Sequence, residues 1–278
     1  MRLTGVGHRH GARGPWVLRD VDLELPPATL VRVEGGNGGG KSTLLRLIAG
    51  ADTPAVGRIT GRPRRTAYVP ERFPPALPLT VGAYLAHLGR IQGLTATGAA
   101  ERAAYWLERF GAGDRARTPL ADLSKGSSQK VAVAQALLAA PALLVLDEAW
   151  TGLDTAARAE LDQAVAERTA DGATVVFVDH DPRRLAGRCD ARYRVGGAAL
   201  APVRPDDDRG PYLTIDALGP PGSAPPAALP DGLPVRPAAG GGVRLTVPAA
   251  RSDAVLRVLL TADPPWHIRG VAAVEDRR

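Results

Sequence analysis

Cysteine is almost missing from this 278-residue chain: Cys189 stands alone, so no disulfide can close within it and no cysteine-rich metal site can form. Lysine is nearly as scarce. Only Lys41, Lys125 and Lys130 are lysines among 35 basic residues, and the arginine excess goes with abundant alanine, glycine and proline. The net charge of +6 fits either an anionic partner or this compositional bias, and the bias is the simpler account. A membrane-length apolar run is lacking too. The most apolar stretch, Val131 to Leu146, falls short of the roughly 20 residues a spanning helix needs and is broken by Gln135 and Pro141. No apolar segment follows the basic start MRLTGVGHRHGARG. A secretory leader is therefore not expected, and the expected compartment is the reducing cytoplasm.

What is present describes an ordinary globular protein, 45% hydrophobic and 23% charged. Its length predicts one full domain and something smaller. From Trp16 to Glu34 apolar and polar residues alternate around a Pro-Pro turn, which predicts two half-buried strands. Leucines at helical spacing follow from Ser42 to Ala49 and stop at Gly50. A helical insertion is expected over about 80–125, with one helix through Ala99 to Phe110. The short branched runs Leu143 to Leu146 and Thr174 to Val178 predict buried parallel strands, so the core is α/β. Proline and glycine dominate 205–242, which reads as a linker, and 243–278 reads as a small β-α-β accessory element.

Between the second strand and the first helix lies GGNGGGKST, from Gly35 through Gly36, Asn37, Gly38, Gly39, Gly40, Lys41 and Ser42 to Thr43. Glycines let successive backbone N–H groups turn toward phosphate oxygens, and the helix that follows adds its positive end. In such a loop the lysine reaches the β and γ phosphates and the serine hydroxyl binds Mg²⁺. Farther on, ALLVLDEAWTGLD ends an apolar strand in Asp147 and Glu148. Placed after a strand, the first carboxylate can hold a metal through water and the second can orient an attacking water. LSKGSSQK (Leu123 to Lys130) precedes this segment, and VVFVDHD, with His180, follows it.

This ordered set resembles the ATP-binding cassette (ABC) family, specifically the separate ATP-binding subunits of bacterial transporters, over about residues 1–204. The resemblance implies a RecA-like P-loop NTPase core with an N-terminal antiparallel β subdomain and an α-helical insertion, here with a small C-terminal α+β appendage. It implies ATP and Mg²⁺ as ligands, and a head-to-tail homodimer that sandwiches two nucleotides. Ser124 and Gly126 would then cap the γ-phosphate bound by the other copy, at the start of a helix over Ser127 to Ala140. Asp154 would reach across the dimer, and His180 would sense the γ-phosphate. His10 stands where the family often has an adenine-stacking tyrosine, with Trp16 as the competing candidate. Ser42 and Asp147, with Glu71, would serve the metal, while Lys41, Glu148 and His180 would carry the chemistry.

Two departures from the family pattern carry a further expectation. Glu71 replaces the usual glutamine in YVPERFPP, and Lys125 replaces a glycine in the signature. Both look like variants of exporter subunits, so the sequence predicts an exporter energised by this chain, docked on a separate integral membrane permease at the inner face of the membrane. The alternative is a soluble cassette ATPase acting on ribosomes or nucleic acid. No second cassette or coiled coil supports it, and nucleic acid is not an expected partner.

Overall fold

The structure, a computed structural model, describes residues 1–11, 14–71, 77–203, 212–220, 225–226, 229, 233–238, 242–249, 252–262 and 264–273. Two compact units divide the chain, Met1–Val203 and Arg204–Arg278.

In the first unit the elements run β1 (Arg2–Arg9), β2 (Trp16–Glu24), β3 (Leu30–Glu34), α1 (Lys41–Ala49), β4 (Val56–Thr60), β5 (Thr66–Val69), α2 (Val81–Ile91), α3 (Ala96–Arg109), α4 (Lys125–Leu137), β6 (Leu143–Asp147), α5 (Thr155–Ala170), β7 (Thr174–Val178), β8 (Ala191–Gly196) and β9 (Ala199–Pro202). A six-stranded sheet in the order β5-β6-β7-β3-β8-β9 is parallel except for the β8-β9 pair, and a separate antiparallel sheet runs β2-β1-β4. This is the RecA-like core with its β subdomain and helical insertion.

Alternation along the central strands explains why both sheet faces are covered. Leu144, Leu146, Val175 and Phe177 join the core shared with α2 to α5, while Leu143, Val145, Val176 and Val178 join the core under α1 and the antiparallel sheet. Such strands are buried on both sides, hence their unbroken apolar runs. β3 departs from the half-buried strand expected for it. Leu30, Val31, Arg32 and Val33 are all buried, and β3 lies between β7 and β8 rather than beside β2.

Local signals set the helix ends. Thr80 and Thr95 accept hydrogen bonds from Ala83 N and Gly98 N as N-caps of α2 and α3, and Gly50 at φ 83° stops α1. The signature helix α4 begins two residues earlier than expected, at Lys125, and ends at Leu137, short of Pro141.

Arg109, at the end of α3, ties the insertion to the core. Its guanidinium lies 4.8 Å from the Trp106 ring centre and donates to Glu167 at 2.9 Å, with a second ion pair to Glu160, so both acidic partners stand on α5. Hydrogen bonding from Arg109 holds the Glu167 carboxyl below its ordinary range. A lowered carboxylate stabilises the fold above its unfolded pKa and loses that contribution as pH falls through the folded value. Glu167 is more than a third exposed, so solvent screens the pair. Arg109→Met should therefore cost about 1–2 kcal/mol at pH 7. Urea unfolding should show the difference from the parent shrinking below about pH 4.5, where Glu167 is neutral in the unfolded chain.

The second unit holds β10 (Tyr212–Leu218), β11 (Val235–Ala238), β12 (Gly242–Pro248), α6 (Ser252–Thr261) and β13 (His267–Ala273). Its sheet is antiparallel in the order β11-β12-β10-β13. The stretch 205–242 is thus not a linker throughout. YLTIDAL alternates, buries Ile215 and Ala217, and forms a central strand between β12 and β13, so the β-α-β expected over 243–278 is present as β12, α6 and β13 but shares a sheet of four strands among the described residues. Much of the rest of 205–242, and 274–278, lies outside the described residues. Leu245, Val247, Val255, Leu259 and Trp266 complete the unit's own core. On the described residues no helix is long and apolar enough to cross a membrane.

Candidate active site

The glycine loop leaves β3 at Gly35, where φ is +144° and an added Cβ would lie 2.3 Å from the Val195 carbonyl oxygen. No larger residue fits there without moving β8. Gly40, at φ 102°, caps α1 without any side-chain bond, and no acidic residue occupies the first turn. No acidic residue of the helix itself offsets the positive end it presents to the loop. Lys41 is buried, and its ammonium donates to the carbonyls of Gly35 at 2.9 Å and Gly36 at 3.0 Å. It thus folds back along the loop that an anion would occupy.

β6 delivers Asp147 to this loop. The carboxylate is almost fully buried and accepts from the Tyr68 hydroxyl at 3.1 Å. Burial pushes its pKa up, the neighbouring Ser42 and Tyr68 hydroxyls oppose the rise, and Glu71 adds to it. The Tyr68 hydroxyl is in turn pushed well above the ordinary phenol range, first by burial and then by Asp147. Tyr68 escaped notice in the sequence because a tyrosine within a strand carries no signal of what its hydroxyl meets.

Glu148 follows with its backbone in the left-handed region, φ 53°, and its N–H bound to the Val178 carbonyl at 3.0 Å. This bond ties the end of β6 to β7 and turns the side chain out of the strand. His180 Nε2 lies 2.7 Å from Glu148 Oε1. Burial raises the Glu148 carboxyl, with His180 opposing and Glu71 and Asp147 adding their repulsion. Exposed Glu71 sits just past β5, near enough for its charge to act on both carboxylates. Residues 72–76 lie outside the described set.

A second group forms around the signature. Ser124 caps α4 by accepting from Ser127 N at 3.2 Å, and a Cβ on Gly126 would lie 2.9 Å from the Gly152 carbonyl oxygen. Asp154 caps α5 through Ala157 N and pairs with Lys130 at 2.7 Å, which holds its carboxyl below the ordinary range. In the isolated chain it is thus bound at home. His10 is exposed, its ring edge-on to His8 with centroids 5.7 Å apart, whereas Trp16 is half-buried with the Arg9 guanidinium 4.9 Å from its ring centre.

The ABC transporter family profile matches residues 18–151. The zinc import ATP-binding protein ZnuC of Cereibacter sphaeroides is 41% identical over 186 residues, covering 65% of this chain and 74% of that protein. Its namesake in Pseudomonas aeruginosa is 40% identical over 223 residues, covering 79% and 80%. Among solved structures, an ATP-binding subunit of an ABC transporter superposes with a TM-score of 0.68 at 28% identity, over 75% of this chain and 91% of that one. A dimeric cassette in a post-hydrolysis state with ADP and Pi reaches 0.64 at 22% identity, over 73% and 98%, a likeness of fold.

These relatives overturn the exporter expectation, because their names are those of import proteins at 40% and 41% identity. Glu71 and Lys125 misled because neither a carboxylate after β5 nor a lysine at the start of α4 specifies which way cargo moves. A phosphate loop on a RecA-like core, with the acidic end of β6 beside it, makes a nucleotide-binding ATPase domain, and the chain belongs to the ATP-binding subunits of the ABC transporter family.

Proposed function

We propose that this chain hydrolyses ATP to drive import through a separate membrane permease, as a head-to-tail homodimer at the inner membrane face, with a divalent metal ion such as zinc as cargo. The 40% identity to a zinc import subunit over 79% of the chain carries this reading. The membrane protein selects the cargo, and this subunit supplies the work.

The residues of the site suit ATP and Mg²⁺. Glycine N–H groups and the start of α1 favour an anion, and Lys41 can exchange its two carbonyl bonds for phosphate oxygens. Ser42, at the start of α1, and Asp147, at the end of β6, are the oxygen donors that would hold Mg²⁺, which would neutralise phosphate charge during transfer. Asp147 is held by Tyr68 meanwhile. Glu148 accepts the proton of an attacking water, and His180 fixes its carboxylate in line. Ser124 and Gly126 of the other copy close the site. Asp154 exchanges Lys130 for that copy, and His10 stacks on the base.

Deletion of the gene in its host should abolish high-affinity uptake of radioactive zinc, with restoration by the parent chain and none by Glu148→Gln. Undiminished uptake in the deletion strain would overturn the proposal.

A further inference from the structure

We propose that Arg32 is a positioning residue for His180, fastening the turn that carries the histidine to the strand that delivers the phosphate loop; this rests on the assignment of Glu148 and His180 to hydrolysis. A guanidinium in the middle of a parallel sheet is costly unless its donors are met. Arg32 is buried on the same face as Val175 and Phe177, 5.7 Å from the Phe177 ring centre. Its two terminal nitrogens donate to four backbone carbonyls of one turn: Nη1 to Pro182 at 3.1 Å and Arg184 at 3.2 Å, Nη2 to Asp179 at 3.1 Å and Asp181 at 3.0 Å. These carbonyls bracket His180 on both sides. Arg32 Nε makes no hydrogen bond among the described residues and meets Glu34, the residue before Gly35, through charge alone at 3.3 Å.

The histidine needs such an anchor. Its side chain is 60% exposed, and its contact with Glu148 at 2.7 Å depends on where the backbone puts the ring. Within the turn, Asp181 N bonds Asp179 Oδ1 and Arg183 N bonds Asp181 Oδ1, so the turn wraps the guanidinium. A lysine would keep the charge, but its ammonium has three donors on one atom and cannot span four divergent carbonyls. One side chain thus ties the strand before the phosphate loop to the turn that carries the histidine.

The test is a double-mutant cycle in ATP hydrolysis by the full chain. Arg32→Lys should lower kcat about 10-fold or more while KM and binding of a fluorescent ATP analogue stay within about twofold. In a His180→Ala background the same substitution should change kcat by less than about twofold, since the group it positions is gone. A structural role alone would depress both backgrounds equally, and that additivity, or an unchanged kcat in Arg32→Lys, overturns the proposal. Full activity in His180→Ala alone removes the role of His180 and the proposal with it. Where Arg32→Lys fails to fold, hydrogen exchange of the unsubstituted chain decides. The hydrogen-bonded amides of Asp181, Arg183, Arg184 and Ala186 should exchange at least about 100-fold more slowly than in an unstructured peptide, and loop-like rates would overturn the assignment.

Discussion

Glu148→Gln is expected to cut ATP turnover by about 10²- to 10⁴-fold, the usual worth of a positioned general base. The substitution removes the basic oxygen and little else. An amide oxygen can still accept the His180 hydrogen bond, now 2.7 Å from Glu148, and the volume is unchanged. Burial already raises this carboxyl, which makes it a better proton acceptor than an exposed glutamate. ATP should bind as before, and with the chemical step blocked the variant should accumulate as an ATP-bound dimer on gel filtration. Turnover within a factor of two of the parent would remove Glu148 from the mechanism.

Lys41→Ala acts one step earlier. The ammonium is the one lysine charge inside the glycine loop, and it is buried, so its loss strips phosphate of a charge-assisted partner worth about 2–3 kcal/mol. That corresponds to roughly 30- to 150-fold weaker ATP binding by calorimetry. The two variants differ in kind: Glu148→Gln holds nucleotide and does not turn it over, while Lys41→Ala does not hold it. Unaltered affinity in Lys41→Ala would show that backbone N–H groups alone carry the phosphate.

Much of this site could be read from the chain because its parts are local in sequence. Gly35 to Thr43 encodes a strand end, a turn and a helix start within a few residues, so each residue's place follows from its neighbours. Asp147 and Glu148 were visible for the same reason, at the end of an apolar run. Arg32 and Tyr68 were not. Arg32 looks like the polar member of an alternating strand, and only burial of β3 on both faces turns it inward to meet a turn roughly 150 residues away. The strand at Tyr212–Leu218 was hidden by surrounding prolines and glycines, since composition averaged over a long stretch drowns a seven-residue alternation. Transport direction left no mark on the phosphate chemistry. The proposal of import rests on the names of relatives.

The left-handed backbone at Glu148 sets the needs of turnover against those of folding. A side chain held at φ 53° carries strain on the order of 1 kcal/mol or more, which glycine would not carry. On the role proposed for Glu148, the backbone there favours glycine while turnover requires the carboxylate. Selection for thermal robustness alone would drift toward a dead enzyme, and a screen that follows melting temperature without following phosphate release would reward losing the base.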